Sequence, residues 1–298
     1  MSSGRAVRLT RLCLISPDAA RLAQFYQDAC GCRVVASEML TEATATRLAG
    51  VRGAAHSVLL RLGAQQLQLL QPVALGRGYP PGVSACDLRF QHFAIVVEDM
   101  QRAYAHLRQV AGWAAISTHG PQRLPASSGG VTAFKFRDPD GHPLELLEFP
   151  ASPSAPVAVP ARAAMLFRGI DHSAIVVADS SRSIAFYENL GLQVSARSIN
   201  QGPEQQRLDG LEEVRVEVTA LSTAQAPPHL ELLCYRAPAP GTGPGTGPGT
   251  GQAGRSTVGA AHGHSNDVAA TRLVFAGERP GAAPRQLIDP DGHRLMVC

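Results

Sequence analysis

The sequence predicts an α+β fold built from four tandem βαβββ modules, the last of them truncated. Three observations predict it: motifs recur along the chain, short apolar runs open each copy, and helical periodicity follows most of these runs. The length of 298 residues is enough for about two domains at roughly 150 residues each. We therefore expect the four modules to form two domains.

Three motifs of the first half return in the second half, which indicates that one long unit was duplicated. One is an Asp-Pro-Asp-Gly-His turn with the strand after it, one is a Phe-Tyr pair, and one is an Arg-Leu-x-Gly segment. The copies are Asp138–Leu147 with Asp289–Cys298, Phe25–Tyr26 with Phe186–Tyr187, and Arg47–Val51 with Arg207–Leu211.

Each long unit divides again into two modules that open with a strand. The four opening runs are Leu12–Ile15, Phe93–Val97, Ala174–Val177 and Arg272–Phe275. In the first three modules an aspartate follows, as is typical of a helix N-cap, and then a helical pattern. We expect the fourth module to lack this helix, because two prolines and two glycines interrupt the segment between Phe275 and Arg285.

The module boundaries follow from these repeats. We place module one at 5–72, module two at 86–150, module three at 166–237 and module four at 264–298. The N-terminal domain would then span 5–150 and the C-terminal domain 165–298, joined by a proline- and alanine-rich linker at 151–164. A Gly/Pro/Thr segment at 241–251 is predicted to be a flexible linker, and 202–210 a polar loop.

Composition excludes several classes of protein. The net charge of +3 is too small for a nucleic-acid binder, and no apolar run approaches the roughly 18–20 residues that cross a bilayer. The N-terminus has no signal-peptide cleavage site, and the six cysteines include no CxxC pair. We expect a cytoplasmic protein, monomer or homodimer, that binds a small molecule and neither nucleic acid nor membrane.

A histidine and a glutamate recur at matching strand positions in the two middle modules. His92 and His172 lie on first strands, and Glu145 and Glu231 lie on last strands. If the first and last strands of a module are neighbours, each His can face its Glu. Imidazole nitrogen with carboxylate oxygen suits a divalent ion such as Zn, Ni, Co, Mn or Fe. The alternative is four ordinary hydrogen-bonded strand residues.

The repeated unit, the Asp-Pro-Asp-Gly-His turn before Leu-Glu-Leu and the Phe-Tyr helix resemble the vicinal oxygen chelate (VOC) superfamily. It includes glyoxalase I, extradiol dioxygenases, fosfomycin-resistance enzymes and bleomycin-binding proteins. The resemblance implies glyoxalase-like domains of curved sheets, in which two modules enclose a cavity. Metal ligands then come from first and last strands, here His92, Glu145, His172 and Glu231, while His142 and His293 remain turn residues.

Modules one and four depart from this ligand pattern. Module one has Arg11 and Gln68 at the two positions. An arginine cannot ligate a metal, so we expect this pair to serve a cavity or a substrate. Module four has Met296 on the last strand, and Ala270 or Arg272 on the first strand, depending on the register.

Two pairings of the modules remain open. If one pairs with two and three with four, as in the dioxygenases, each cavity has one His and one Glu. If two pairs with three and one with four, as in single-chain fused glyoxalase I, one cavity has all four ligands. The linker at 151–164 is long enough for either arrangement.

Three functions follow from the resemblance. The first is a divalent-metal-dependent lyase or isomerase of the glyoxalase I type, in which Glu145 or Glu231 moves a proton of a small oxygenated substrate. The alternative is a metal-free binding protein of the antibiotic-binding kind, motivated by Arg11 and Gln68. The third is an extradiol dioxygenase, which is weak because neither half alone supplies two His and one Glu.

Overall fold

The computed structural model describes residues 8–151, 165–222, 228–237, 263–277 and 283–298. Within these ranges the chain forms an α+β fold with two open sheets, as the sequence predicts. The predicted linkers lie outside the described residues, apart from residue 151. No helix of the described ranges combines the length and the apolar character that crossing a membrane requires.

The elements follow the module order. Module one contains β1 (Arg8–Ile15), α1 (Ala19–Cys30), β2 (Arg33–Leu40), α2 (Glu42–Ala49), β3 (Ala55–Leu62) and β4 (Gln65–Pro72). Module two contains β5 (Gln91–Val97), α3 (Met100–Leu107), β6 (Ala114–Ala115), β7 (Gln122–Arg123), a 3-10 turn (Ala126–Ser128), β8 (Thr132–Arg137) and β9 (Pro143–Glu148).

The second half repeats this order. Module three contains β10 (Phe167–Val176), α4 (Ser180–Glu188), β11 (Gln193–Gln201), α5 (Pro203–Asp209), β12 (Arg215–Ser222) and β13 (His229–Ala237). Module four contains β14 (Arg272–Ala276), β15 (Arg285–Ile288) and β16 (Arg294–Val297). The segment predicted to lack a helix lies between β14 and β15, and residues 278–282 of it are outside the described ranges.

The three aspartates predicted as helix N-caps have that role. Asp18, Asp99 and Asp179 stand before α1, α3 and α4. The side chain of each accepts a hydrogen bond from the backbone amide three residues later, which satisfies one of the unpaired amides of the first turn.

The prediction of a loop at 202–210 is wrong, because most of it is the helix α5. Pro203 occupies the first turn, where a missing amide hydrogen costs nothing. Gly210 ends the helix in the left-handed conformation, with φ of 62°. The segment is mostly polar, so apolar periodicity does not indicate a helix there.

Modules pair two with three and one with four, which answers the question left open by the sequence. The large sheet has nine strands in the order β11-β12-β13-β10-β5-β9-β8-β6, with β7 beside β8. The small sheet has seven strands in the order β15-β16-β14-β1-β4-β3-β2. Neither sheet is therefore confined to 5–150 or to 165–298, and each draws strands from both segments.

The Asp-Pro-Asp-Gly-His turns connect the two sheets. Asp138 is buried and accepts hydrogen bonds from the Tyr26 hydroxyl on α1 and from His142 Nδ1, both at 2.8 Å. Asp289 accepts one from the Tyr187 hydroxyl on α4 at 3.0 Å. The Asp-Pro-Asp-Gly-His turn and the Phe-Tyr pair are thus hydrogen-bond partners. The tyrosine hydroxyl supplies a donor that a buried carboxylate needs.

Candidate metal centre

Strand register brings the two histidines to one face of the large sheet. β5 and β10 are antiparallel neighbours, with His172 opposite Ala94 and His92 opposite Ala174. Side chains two residues apart on a strand share a face, so both imidazoles project from the same side. Their ring centroids are 5.8 Å apart.

Each glutamate lies on a strand parallel to that of its histidine. Glu145 on β9 pairs with Ala94, and Glu231 on β13 pairs with Ala174. His92 and His172 stand two residues before these alanines and share their face. The four residues predicted as ligands from the sequence therefore lie on one face of one sheet.

Three of these residues form a compact group, the ligand trio His92, Glu145 and His172. One potential ligand atom from each lies within 4.8 Å of the others. Glu145 Oε2 is 3.0 Å from His92 Nε2 and 3.6 Å from His172 Nε2. Glu231 Oε2 reaches the trio through His172, at 3.5 Å from the same Nε2.

The donor set fits a divalent ion. Two ligands that bind one ion at about 2.1 Å stand about 3.0–3.4 Å apart in octahedral or tetrahedral geometry, which is close to the separations found here. His172 Nε2 is buried and makes no hydrogen bond of ordinary geometry among the described residues. It lies 3.6 Å from Glu145 Oε2 and 3.5 Å from Glu231 Oε2, so the three atoms could bind one cation.

Mutual electrostatics hold the carboxylates ionised. Burial alone would raise the pKa of Glu145, but contacts with His172 and His92 hold that pKa well below its ordinary value. Burial likewise opposes ionisation of Glu231, whose pKa the His172 charge lowers to about 2. Both glutamates therefore present charged oxygen at neutral pH.

The two imidazoles differ in their electrostatics. Burial lowers the pKa of His92 below its ordinary value, against the influence of Glu145. Burial would also lower the pKa of His172, but the Glu231 and Asp171 carboxylates raise it well above the ordinary value. His92 is therefore neutral and ready to ligate at pH 7, whereas His172 would have to release a proton to a cation.

The trio lies in the wall of a cavity of about 710 Å³. Its apolar wall comes from strands and from α5, and its polar part includes Lys135, Asp171 and Arg197. This combination of an apolar enclosure with a few converging polar groups is typical of small-molecule sites.

A buried ion pair supports one side of this cavity. Lys135 on β8 is 3% exposed and donates to Asp209 Oδ1 on α5 at 2.6 Å. Asp209 Oδ2 accepts from the Tyr235 hydroxyl at 3.0 Å and from Gln205 Nε2 at 2.8 Å. Both oxygens of the Asp209 carboxylate therefore accept hydrogen bonds, and the network holds α5 against β8.

Sequence reasoning missed Asp171, His229 and Lys135. His229 is two residues before Glu231, so strand alternation alone could have placed it on the cavity face. Its Nε2 lies 3.4 Å from Glu231 Oε1. Asp171 directly precedes His172, and alternation would have pointed it to the opposite face. Lys135 pairs with Glu145 across β8 and β9, a register that no local motif encodes.

Arg11 and Gln68 lie in the small sheet and take no part in the cavity wall that contains the trio. Gln68 Oε1 accepts from Cys13 Sγ at 3.1 Å, and Gln68 Nε2 donates to Ser57 Oγ at 2.8 Å. Cys13 pairs with Gln68 across β1 and β4, as Ala94 pairs with Glu145. Gln68 is thus the small-sheet equivalent of Glu145, satisfied within its own sheet.

The register of module four is also decided. Val274 pairs with Met296, so Arg272, two residues earlier, stands at the histidine position. Arg272 is 2% exposed and donates to the backbone carbonyls of Ala270 and Gly50. No histidine or glutamate stands at these positions of β14 and β16.

A second cavity of about 480 Å³ lies beside module four. Its charged lining includes Arg77, Arg89 and Arg294, together with Asp267. Arg77 is paired with Asp267 and Arg89 with Asp87. None of the six residues proposed from the sequence lines this cavity.

The described residues thus form two module pairs, one of which brings the trio together. Residues 8–146 match the profile of the Glyoxalase/Bleomycin resistance protein/Dioxygenase superfamily. The resemblance drawn from the sequence is confirmed. No curated protein sequence matches the chain.

Solved structures extend the likeness of fold to the whole chain. Glyoxalase I from Zea mays is 14% identical, with a TM-score of 0.56 over 98% of this chain and 92% of that one. A "putative dioxygenase" from Bacillus subtilis is 11% identical, with a TM-score of 0.55 over 99% of this chain and 86% of that one. At these identities the likeness concerns the fold.

Proposed function

We propose that the protein is a divalent-metal-dependent lyase or isomerase that acts on a small oxygenated metabolite. The observation that carries the proposal is the approach of His92, Glu145 and His172 within 4.8 Å, with Glu231 3.5 Å from His172. Two histidines with two glutamates suit Ni, Zn, Co, Mn or Fe(II) as the metal. A bound ion would supply Lewis-acid polarisation of adjacent substrate oxygens.

The chain's own residues divide the remaining work. Glu145 is enclosed by both histidines and has an 8% exposed side chain, so it suits a permanent ligand. Glu231 has a 21% exposed side chain on the cavity side, which leaves it freer to move. We therefore assign Glu231 as the base that takes a proton from the substrate and returns it to a neighbouring carbon.

Neighbouring groups would assist Glu231. His229 Nε2 lies 3.4 Å from Glu231 Oε1 and can hold the carboxylate in place or receive its proton. Lys135 on the opposite side carries a positive charge, held by Asp209, that favours the ionised form of a substrate oxygen. The apolar wall, including Leu147 and Val216, keeps bulk water from the reacting atoms.

A second candidate function is an extradiol dioxygenase. The sequence alone supports this function weakly, because neither half of the chain offers two His and one Glu. The pairing of modules two and three removes that objection, since the trio is a two-histidine, one-carboxylate set of the kind that non-haem Fe(II) oxygenases use. Glu231 distinguishes the two functions, because a dioxygenase site would not need it as a ligand or as a base.

The first experiment measures metal binding by calorimetry with Ni²⁺, Zn²⁺ and Fe²⁺, on wild type and on the double variant His92→Ala/His172→Ala. We expect about one equivalent of metal bound to wild type and none to the double variant. Arg11→Ala, at the equivalent position of β1, serves as the matched control and should bind metal like wild type.

Activity assays then separate the candidate functions. Proton exchange at the carbon next to a carbonyl, lost in Glu231→Gln, supports the lyase or isomerase. Oxygen consumption with Fe²⁺ and catechol, retained in Glu231→Gln, supports the dioxygenase instead. If wild type binds no metal and the double variant binds small molecules unchanged, a metal-free binding protein replaces both.

A further inference from the structure

We propose that Asp171 is a positioning residue that fixes the orientation and the tautomer of His172, so that Nε2 faces the metal. This inference rests on the metal centre proposed above. Asp171 was not among the residues singled out by the sequence, and its role depends on an irregularity in β10.

The irregularity is a β-bulge at Asp171. In the pairing of β10 with β5, Ile170 stands opposite Ile95 and His172 opposite Ala94, which leaves Asp171 without an opposing residue. In a regular strand Asp171 would point away from the face of His172. A bulge re-aims a side chain, and here it brings Asp171 into the cavity wall beside His172.

The contact made by the bulged residue determines which nitrogen carries hydrogen. Asp171 Oδ2 lies 2.9 Å from His172 Nδ1. An ionised carboxylate only accepts, so Nδ1 must donate. In the neutral imidazole the lone pair is then on Nε2, the atom between Glu145 and Glu231. Carboxylate partners of this kind orient metal-bound histidines in many proteins.

The other histidine of the trio lacks this support. His92 Nδ1 is buried and makes no hydrogen bond among the described residues. The residue before His92 is Gln91, whose amide donates to Ser173 Oγ at 3.4 Å instead. Among the described residues only His172 of the two has a carboxylate on its Nδ1. Gln91, the residue before His92, therefore serves as the control for Asp171.

The test compares Asp171→Ala, Asp171→Asn and Gln91→Ala by calorimetry with Ni²⁺. We expect Asp171→Ala to weaken Ni²⁺ binding about 10–100-fold. Asp171→Asn keeps one acceptor oxygen and should fall between Asp171→Ala and wild type. Gln91→Ala should bind within about 3-fold of wild type, and thermal unfolding should show that all variants are folded.

A second readout addresses the tautomer directly. Nitrogen-15 NMR of metal-free wild type should show His172 with its proton on Nδ1 whenever the ring is neutral, and Asp171→Ala should show a mixture of tautomers. Unchanged Ni²⁺ affinity and an unchanged His172 signal in Asp171→Ala would overturn the inference. Two equivalents of Ni²⁺ in wild type and one in Asp171→Ala would also overturn it, because Asp171 would then be a ligand of a second ion. Absence of Ni²⁺, Zn²⁺ and Fe²⁺ binding in wild type would instead refute the proposed function.

Discussion

The large and small sheets carry different side chains on the same backbone plan. In the large sheet the four equivalent positions are His92, Glu145, His172 and Glu231. In the small sheet, pairing places Arg11, Gln68, Arg272 and Met296 at those positions. One set can ligate a cation, whereas the other contains two fixed positive charges and a thioether.

The space above the two sheets differs accordingly. In the small sheet an apolar cluster that includes Cys13, Val274 and Met296 packs against Ala45 and Ala49 of α2. In the large sheet, Gln205 and Leu208 of α5 line a cavity instead. The related helices α2 and α5 thus contribute to a core on one sheet and to a cavity wall on the other.

Two substitutions within the repeat explain part of this difference. In the repeated Arg-Leu-x-Gly motif, Ala49 of α2 corresponds to Asp209 of α5. Lys135 stands opposite Glu145, and its copy in module four, Gln286, stands opposite Met296. The small sheet therefore has Gln and Ala where the large sheet has a buried ion pair, which teaches that a few side chains decide between a core and a site.

The largest effect is expected from giving the large sheet the side chain of the small one. His92→Arg would place a permanent cation beside Glu145 and remove a ligand, so Ni²⁺ binding should fall by about 1,000-fold or more. Calorimetry measures it, with Arg11→His as the reciprocal control, which should gain no Ni²⁺ binding. Near-normal binding by His92→Arg would contradict the centre.

The ion pair offers the next largest effect. Lys135→Leu leaves Asp209 buried without its cation and should lower the free energy of unfolding by about 3–5 kcal/mol. Lys135→Leu/Asp209→Ala removes both charges of the pair and should recover most of that loss. Urea denaturation of metal-free protein measures both, and equal losses in the single and double variants would show that the pair does not act as a unit.

A carboxylate in the small sheet should be poorly tolerated. Met296 is 1% exposed within the apolar cluster. Met296→Glu should lower the free energy of unfolding by about 3 kcal/mol, because the new carboxylate must be desolvated while the nearby Arg272 already donates to backbone carbonyls. The mirror change Glu231→Met loses the contact with His172 but buries no new charge, so it should cost less than Met296→Glu in metal-free protein. A similar cost for both changes would mean that the two environments are alike.

The smallest expected effect is on how the free energy of unfolding changes at acidic pH. The pKa of Glu231 is lowered to about 2 in the folded protein, so this carboxylate stabilises the fold above its ordinary range near 4.5. That contribution decreases as the pH falls from about 4.5 towards 2. Glu231→Gln should therefore lose less stability than wild type between pH 6 and pH 3, measured by urea denaturation without metal. Parallel curves would argue against the lowered pKa.

Much of the fold and of the candidate site could be predicted from local patterns. The aspartate caps and the repeated turns follow from short-range chemistry, and His92, Glu145, His172 and Glu231 follow from strand positions. The polar helix α5 was missed because apolar periodicity does not reveal it. Asp171 was missed because a bulge cancels the alternation on which the prediction depends.

The sequence by itself determined four modules, their capped helices and four potential ligands, because these depend on neighbours along the chain. Only the tertiary structure decided which modules share a sheet. Any strand edge offers the same backbone hydrogen-bond donors and acceptors to a partner, so local sequence leaves the choice open. That choice placed the four potential ligands on one face of one sheet and left Arg11 and Gln68 in the other sheet.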